Sequence, residues 1–363
     1  MECAEDRNLF LGNNGEGKTN LLEAISYLCL TKSFYASTDA TAVQIGHPSF
    51  TVTGHTVSDI DVAYEVRVSY SSDTKEKEIT INRGLVPNKS SVIGMFPVVV
   101  LCPEDIALTS GALADRRRFV DIVVSQSSKS YLEDLMEYRR ILRQRNRILL
   151  DGKLAQRSAG DLLEPWNEGL VKRGTQISVR RAQFVKEFVP HLASVFETIG
   201  GGEEHPSISY SSGIGTIAST AEETEQFFRA ELLRQEGEER KVGSSLVGPH
   251  KDELVFEING LGLKSFASQG QHKTFLVALK VAEYYYLRER RGENPILLLD
   301  DVFSELDDIR SARLLAITED LGQTFITATD GRRFVSTERA GRTARFSVTQ
   351  GHVTHEEASS ITQ

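Results

Sequence analysis

The sequence predicts an α/β head, with a mixed sheet plus an antiparallel β layer, that carries a mostly helical insertion. Three observations lead there. Residues 11–20 read LGNNGEGKTN, a glycine-rich turn set between the apolar run Leu9-Phe10-Leu11 and a helical pattern. Late in the chain, Pro295-Ile296-Leu297-Leu298-Leu299-Asp300-Asp301 places four aliphatic residues before two acids. Between the two runs a long stretch rich in Leu, Glu, Arg and Gln, from Asp115 to about Leu192.

The elements follow in chain order. Leu21, Leu22, Ile25 and Leu28 recur at helical spacing, so Lys18 to about Leu30 reads as a helix with one apolar face. From Phe50 to Asn82 the pattern switches to alternation. Val62, Tyr64, Val66, Val68 and Tyr70 share one face of a half-buried antiparallel meander, and Asn82-Arg83-Gly84 supplies a turn. FPVVVLCPED, residues 96–105, reads as a buried strand stopped by Pro103. A looser interval, Gly200 to Gly243, contains a helix-like acidic segment from Ala221 to Lys241. LVFEI and NPILLLDD read as strands flanking a helix from Gln271 to about Arg290, QTFITATD as another buried strand and RFSVTQGHVTHE as a hairpin. The expected domains are 1–112 and 244–355 as the two halves of the head, 113–243 as the insertion and 356–363 as a polar tail. An independent helical domain in place of the insertion remains open.

Composition narrows the function. The chain has 363 residues, long enough for two domains or one domain with an insertion. No apolar run approaches the ~20 residues that cross a bilayer, and the acidic N-terminus lacks the apolar core of a secretory signal. The three cysteines, Cys3, Cys29 and Cys102, have no paired spacing, which suits a reducing cytoplasm and argues against a thiolate metal site. A net charge of −9 predicts no overall attraction to nucleic acid, so any DNA contact must come from local basic patches.

The chemistry lies in three motifs. Gly12-Asn13-Asn14-Gly15-Glu16-Gly17-Lys18-Thr19 fits the G-x-x-x-x-G-K-[ST] phosphate loop, with Asn20 following. Its glycines let backbone N–H groups approach phosphate oxygens, Lys18 can reach the β- and γ-phosphates, and the Thr19 hydroxyl can ligate Mg²⁺. At the end of the aliphatic strand Asp300 would hold Mg²⁺ and Asp301 could polarise an attacking water; alternatively both acids only solvate the end of a core strand. Ser268-Gln269-Gly270-Gln271 opens a helix as an anion site or as a simple N-cap. Ser304-Glu305-Leu306-Asp307 follows the acidic pair.

In their order these motifs resemble ABC-type ATPases, whose signature segment caps the γ-phosphate held by a second protomer. NNGEGKTNLLEAI, VLCPEDI, RRRFVD, RQRN, GPHKDE, SQGQHKT, ILLLDDVFSELD and ITATD more specifically resemble the RecF family of bacterial repair ATPases, which has an ABC/SMC-like P-loop ATPase head. The match runs from Leu9 to about Asp330. The resemblance implies an ATP- and Mg²⁺-dependent homodimer that binds DNA at single-/double-strand junctions, hydrolyses ATP slowly, and works with RecR and RecO to load RecA on gapped DNA. Ser268, Gly270 and Gln271 would then contact ATP in trans.

The chain departs from the family at three places. Strands that usually precede the phosphate loop are absent, which suggests a missing front end and, as an alternative function, a DNA-binding scaffold with impaired ATPase. Tyr35 stands where the family tends to have arginine. Thr327 and Thr329 occupy the region where transporter ATPases often carry a switch histidine, and their role is open. A transporter subunit is disfavoured by the helical insertion and the acid pair.

The best basic patch is EYRRILRQRNRILL, residues 137–150. On a helix Arg139, Arg140, Arg143 and Arg147 fall within about 100° of arc, opposite Tyr138, Ile141, Leu142 and Leu149. Such a face can track phosphates without reading bases, or it can be a solvated face paired with Glu133 and Glu137. Arg116-Arg117-Arg118 reads as part of the hinge into the insertion, and His250 and His272 are unassigned.

Overall fold

The computed structural model describes residues 1–155, 160–202, 204–304, 306–332, 334 and 342–356. The strands are β1 (Arg7–Leu11), β2 (Ser49–Val57), β3 (Ala63–Ser71), β4 (Glu76–Ile81), β5 (Gly84–Leu85), β6 (Val98–Leu101), β7 (Pro206–Ser211), β8 (Glu253–Ile258), β9 (Leu261–Gly262), β10 (Ile296–Asp300), β11 (Thr324–Ala328), β12 (Thr343–Thr349) and β13 (His352–Glu356). The helices are α1 (Lys18–Leu30), α2 (Ile106–Ser110), α3 (Leu113–Ser127), α4 (Lys129–Ala155), α5 (Gly160–Gly200), α6 (Ala221–Val242), α7 (Leu263–Phe266), α8 (Gln269–Arg291) and α9 (Asp308–Thr318). The chain forms two compact units. One comprises Met1–Ile106, Ser194–Glu203 and Gln269–Gln363, the other Ala107–Ala193 and Glu204–Ser268.

The first unit is the head. Its six-stranded sheet has the order β13-β12-β1-β11-β10-β6, parallel throughout except for the β12–β13 hairpin. Aliphatic runs form its centre because strands covered on both faces need no polar alternation, and Leu297, Leu298 and Leu299 are almost wholly buried. Phe10 stacks with Phe325 and packs on Phe346 within the same core. A separate antiparallel sheet, β2-β3-β4-β5, buries Val66, Val68 and Tyr70 on one face of β3 as the alternation predicts. Val62 instead precedes β3 and is exposed. Asn82 and Arg83 both take positive φ, which closes the β4–β5 turn in the hand that suits a two-residue hairpin.

The strand entering the loop does not lack neighbours: β1 pairs in parallel with β11 on one side and β12 on the other, with Leu9 opposite both Ile326 and Arg345. Residues from the far end of the chain supply the flanking strands, which a search ahead of the loop could not find.

The second unit is mostly helical, built on α3 to α6, and it also contains the small sheet β7-β8-β9. This unit takes in 244–268, a stretch that the sequence reading assigned to the second half of the head. The physical reason is pairing: LVFEI forms β8, which runs antiparallel to β7 from Pro206↔Ile258 to Ser211↔Glu253. The head resumes at Gln269, and the insertion opens near Ala107. Of the expected polar tail, 356–363, Glu356 is the last residue of β13 and 357–363 lie outside the described residues.

Candidate nucleotide-binding site

The phosphate loop lies between β1 and α1, in the place its sequence context demands. Gly15 and Gly17 take φ of 83° and 95°, left-handed values that a side chain would strain, and Gly17 caps α1. Gly12 is required for a different reason: a Cβ there would lie 2.3 Å from the Val348 carbonyl oxygen of β12. Asn13, Asn14 and Gly15 form an exposed lip, and Asn20 is exposed on the first turn of α1. A Cβ on Gly15 would meet nothing within 4 Å, so the loop's outer side is open to a ligand.

Lys18 is buried, and its Nζ donates to the carbonyls of Gly12 at 2.7 Å and Asn13 at 2.8 Å. The lysine thus braces the loop that it belongs to. Glu16 turns away from the lip: its carbonyl accepts from the Gly351 N–H at 2.9 Å and its carboxylate accepts from the Gln350 N–H. These are the two positive-φ residues of the β12–β13 turn, so the hairpin clamps the loop through Glu16.

The acid pair closes the site. Thr19 Oγ1 donates to the Asp300 carboxylate, with distances of 2.9 and 3.1 Å to its two oxygens, across 281 positions of sequence. Asp300 is 5% exposed, and burial raises its pKa while hydroxyl donors from Thr327 and Thr19 oppose the rise. Thr327, which stands opposite Asp300 in β11, donates from Oγ1 to Asp300 Oδ1 at 2.7 Å and accepts from the Asp301 N–H at 2.9 Å. Asp301 has φ of 50°, and its carbonyl accepts from Ser304 Oγ at 2.8 Å. Thr329 is exposed beyond the strand. The sequence left the role of Thr327 open; its signal was its place in ITATD, level with the end of the acidic strand.

Hydroxyl and carboxylate oxygens held together are the donor set that Mg²⁺ takes, with water completing its shell. Thr19 and Asp300 therefore fit that ion. Among the described residues no cluster of three or more His, Cys, Asp or Glu offers another metal site.

The signature segment sits at the start of α8. Ser268 immediately precedes the helix and is exposed, while Gly270 and Gln271 are half-buried in its first turn. Arg310 of α9 donates from Nε to Thr274 Oγ1 at 2.7 Å, and Thr274 donates to the Gly270 carbonyl at 2.9 Å. Asp307 caps α9 by accepting from the Arg310 N–H. The segment after the acid pair is thereby tied to the signature turn, a link with no sequence signal. Glu305 lies outside the described residues.

In the second unit, Arg139, Arg140, Arg143 and Arg147 are all exposed on α4, with Tyr138, Ile141 and Leu149 buried and Leu142 half-buried opposite them. Arg140 pairs with Glu137, Arg139 with Asp121 rather than Glu133, and Arg147 lies 4.0 Å from Asp151. Among the described residues Arg143 makes no ion pair. Arg116 is a structural pin, donating to the carbonyls of Leu108, Thr109 and Leu254. His250 is also structural: its Nδ1 lies 2.6 Å from the Tyr138 hydroxyl and burial lowers its pKa to about 4.

A loop between a parallel strand and a helix, and an acid-tipped strand one strand over in the same mixed sheet, define an ABC/SMC-like P-loop ATPase head. The Smc head domain of Pyrococcus furiosus shares this fold, with a TM-score of 0.53 over 97% of this chain and 89% of that one at 12% identity. Much nearer is a solved structure of the recombination mediator protein RecF with ATP, in the RecFOR pathway: TM-score 0.90 and 30% identity, over 98% of this chain and 93% of that one. The DNA replication and repair protein RecF of Salinibacter ruber is 43% identical over 336 residues, which cover 91% of this chain and 81% of the relative. No family model matches the chain. The chain belongs to the RecF family.

Proposed function

We propose that this protein is an ATP-gated DNA clamp of recombinational repair and replication, acting in the cytoplasm. The observation that supports this reading most is the Thr19–Asp300 contact, which joins the phosphate loop to the acidic strand in one site. ATP binds across two heads in the proposed homodimer. Lys18, Thr19, Asp300 and Asp301 of one chain face Ser268, Gly270 and Gln271 of the other. For this, Lys18 exchanges the carbonyls of Gly12 and Asn13 for the β- and γ-phosphates, and the loop N–H groups of residues 13–19 receive phosphate oxygens. Thr19 and Asp300 hold Mg²⁺, which neutralises phosphate charge when bound. Asp301, fixed through its backbone by Thr327, orients the attacking water.

Binding across both heads makes ATP favour the dimer, and hydrolysis reopens it. The Arg310–Thr274–Gly270 link gives the signature turn a path to the segment after the acid pair. In this reading the ATPase is weak and DNA-stimulated, because its task is timing. The exposed arginines of α4 track DNA at a single-/double-strand junction, and RecR and RecO act with the clamp to load RecA on the gap. The full pairing of β1 favours an active head over a scaffold with impaired ATPase.

The test is binding to a gapped duplex with ATP, ADP or no nucleotide, alongside sedimentation. The clamp predicts tight binding and a dimer with ATP only; equal binding in all three states without an ATP-dependent dimer would refute it. Ser268→Arg should abolish the dimer and leave monomer ATP binding mostly intact.

A further inference from the structure

Three stretches that the nucleotide site does not use, RRRFVD, EYRRILRQRN and GPHKDE, converge in the second unit around one cleft of about 280 Å³. Four arginines line it, Arg117, Arg118, Arg139 and Arg181, with Asp121 as its acid. Arg181 is buried and spent, donating to Asp121 Oδ1 at 2.7 Å and to Asp252 Oδ2 at 2.6 Å. Asp121 Oδ2 accepts from Arg139 Nη2 at 2.9 Å. Arg139 is therefore the outer end of an alternating chain of charges, with a side chain 58% exposed. Asp252 and Asp121 offset Arg181 and Arg139. Arg117 and Arg118 have no carboxylate partner among the described residues: Arg117 donates to the Asp252 carbonyl at 2.7 Å, and Arg118 is exposed with no hydrogen bond or ion pair there.

Two uncompensated guanidiniums in a cleft also lined by Leu135 and Leu142 describe an anion seat. Its volume lies at the lower limit of ligand pockets, about 300 Å³ upward, which suits one charged group rather than a whole cofactor. The seat also opens onto a track. Arg139, Arg143 and Arg147 recur every four residues, so exposed guanidiniums continue from the cleft along about 12 Å of α4, with Arg143 the member that makes no ion pair among the described residues. A repeating anion satisfies both the seat and the track. On a chain of net charge −9 this patch is a local exception, as a polyanion site must be.

We propose that the cleft between α3, α4 and the Pro249–His250 turn seats a backbone phosphate of bound nucleic acid, held by Arg117, Arg118 and Arg139. This rests on the DNA-binding reading above, and it names where the strand is gripped. Arg139 is held in place by Asp121 before the phosphate arrives, and Arg118 supplies the free charge.

The experiment measures the affinity of the full-length protein with ATP for a labelled gapped duplex between 50 and 200 mM salt. Arg118→Glu should bind several-fold more weakly, with a salt slope shallower by about 0.9 for the lost phosphate contact, while Arg118→Lys keeps the slope. Unchanged thermal unfolding verifies that the exposed substitution acts on binding. Wild-type binding combined with an unchanged affinity and slope in Arg118→Glu overturns the seat and leaves the DNA reading intact. Failure of the wild-type to bind DNA in any nucleotide state overturns both.

Discussion

The nucleotide site of the head and the core of the second unit hold charge out of water by different means, although elsewhere the head also buries an ion pair, Lys280 with Glu283. In the head, Lys18 and Asp300 are each buried without an ionic partner among their described contacts: the lysine donates to two carbonyls and the aspartate accepts from two hydroxyls. In the second unit, charge is buried against charge. Arg181 meets Asp121 and Asp252 while the Tyr131 hydroxyl accepts from its Nε, and Asp252 also accepts from Tyr210 and the Gly213 N–H. Arg145 meets Glu239 and Ser245 in a second such cluster. Neutral partners leave Lys18 and Asp300 with charge to give to a ligand, whereas the arginine clusters are already satisfied. The former arrangement suits binding and turnover, the latter fixes the packing of helices and the small sheet. A buried pair is a poor source of stability against an apolar substitute, yet breaking it is costly, because one charge is left behind.

The strongest way to break this contrast is Asp252→Ala. It removes one of the two carboxylates that pair with the buried Arg181, leaving only Asp121 to offset it, and it removes the acceptor for Tyr210 and Gly213 at once, so unfolding stability should fall by about 3–5 kcal/mol, measured by urea denaturation. A loss near zero would mean that the cluster is as replaceable as the contacts around Lys18.

The next largest effect sharpens the contrast through pH. His250 has a folded pKa depressed to about 4 by burial, against about 6.5 unfolded. Between those values the unfolded chain holds the extra proton, so stability rises with pH through this window. The contribution is fully present above about 6.5, is lost as pH falls towards 4, and amounts to about 3 kcal/mol. Stability of the wild-type and His250→Asn, compared from pH 7 to 4, should show a steeper acid loss in the wild-type. Equal slopes would remove His250 from the account.

The same contrast explains what could be read in advance. The phosphate loop was legible because a few consecutive residues carry its chemistry, Gly15 and Gly17 for conformation and Lys18 and Thr19 for function. The buried strand β10 was legible because four aliphatics in a row have few other places to go. The partners of β1 were not, since β11 and β12 come from the other end of the chain and pairing across such distances leaves no local pattern. The same holds for β8, whose alternation showed a strand but not which unit it joins. The second unit's clusters were hidden for a related reason. Arg145 and Arg147 look alike in RQRNR, yet one is buried against Glu239 and the other exposed, a difference set by α6 and not by the neighbouring sequence.

The smallest of these effects falls at Thr327, where the nucleotide site's neutral strategy can be tested directly. Its hydroxyl donates to Asp300 and accepts from the Asp301 N–H, so Thr327→Val keeps the shape of the side chain and removes both bonds. The Asp301 N–H is then left without its acceptor, at a cost of about 1–3 kcal/mol in unfolding stability. Losing a donor that opposes the burial of Asp300 should also push that carboxyl's pKa further up, so the acid limb of ATP turnover should move to higher pH. Nucleotide affinity should change less than turnover, because the lysine and the loop are untouched. A variant that loses stability but keeps the wild-type pH profile would make Thr327 a packing residue. A profile displaced towards higher pH would show that a neutral hydroxyl, in place of a buried cation, keeps the acid ionised and ready for its ligand.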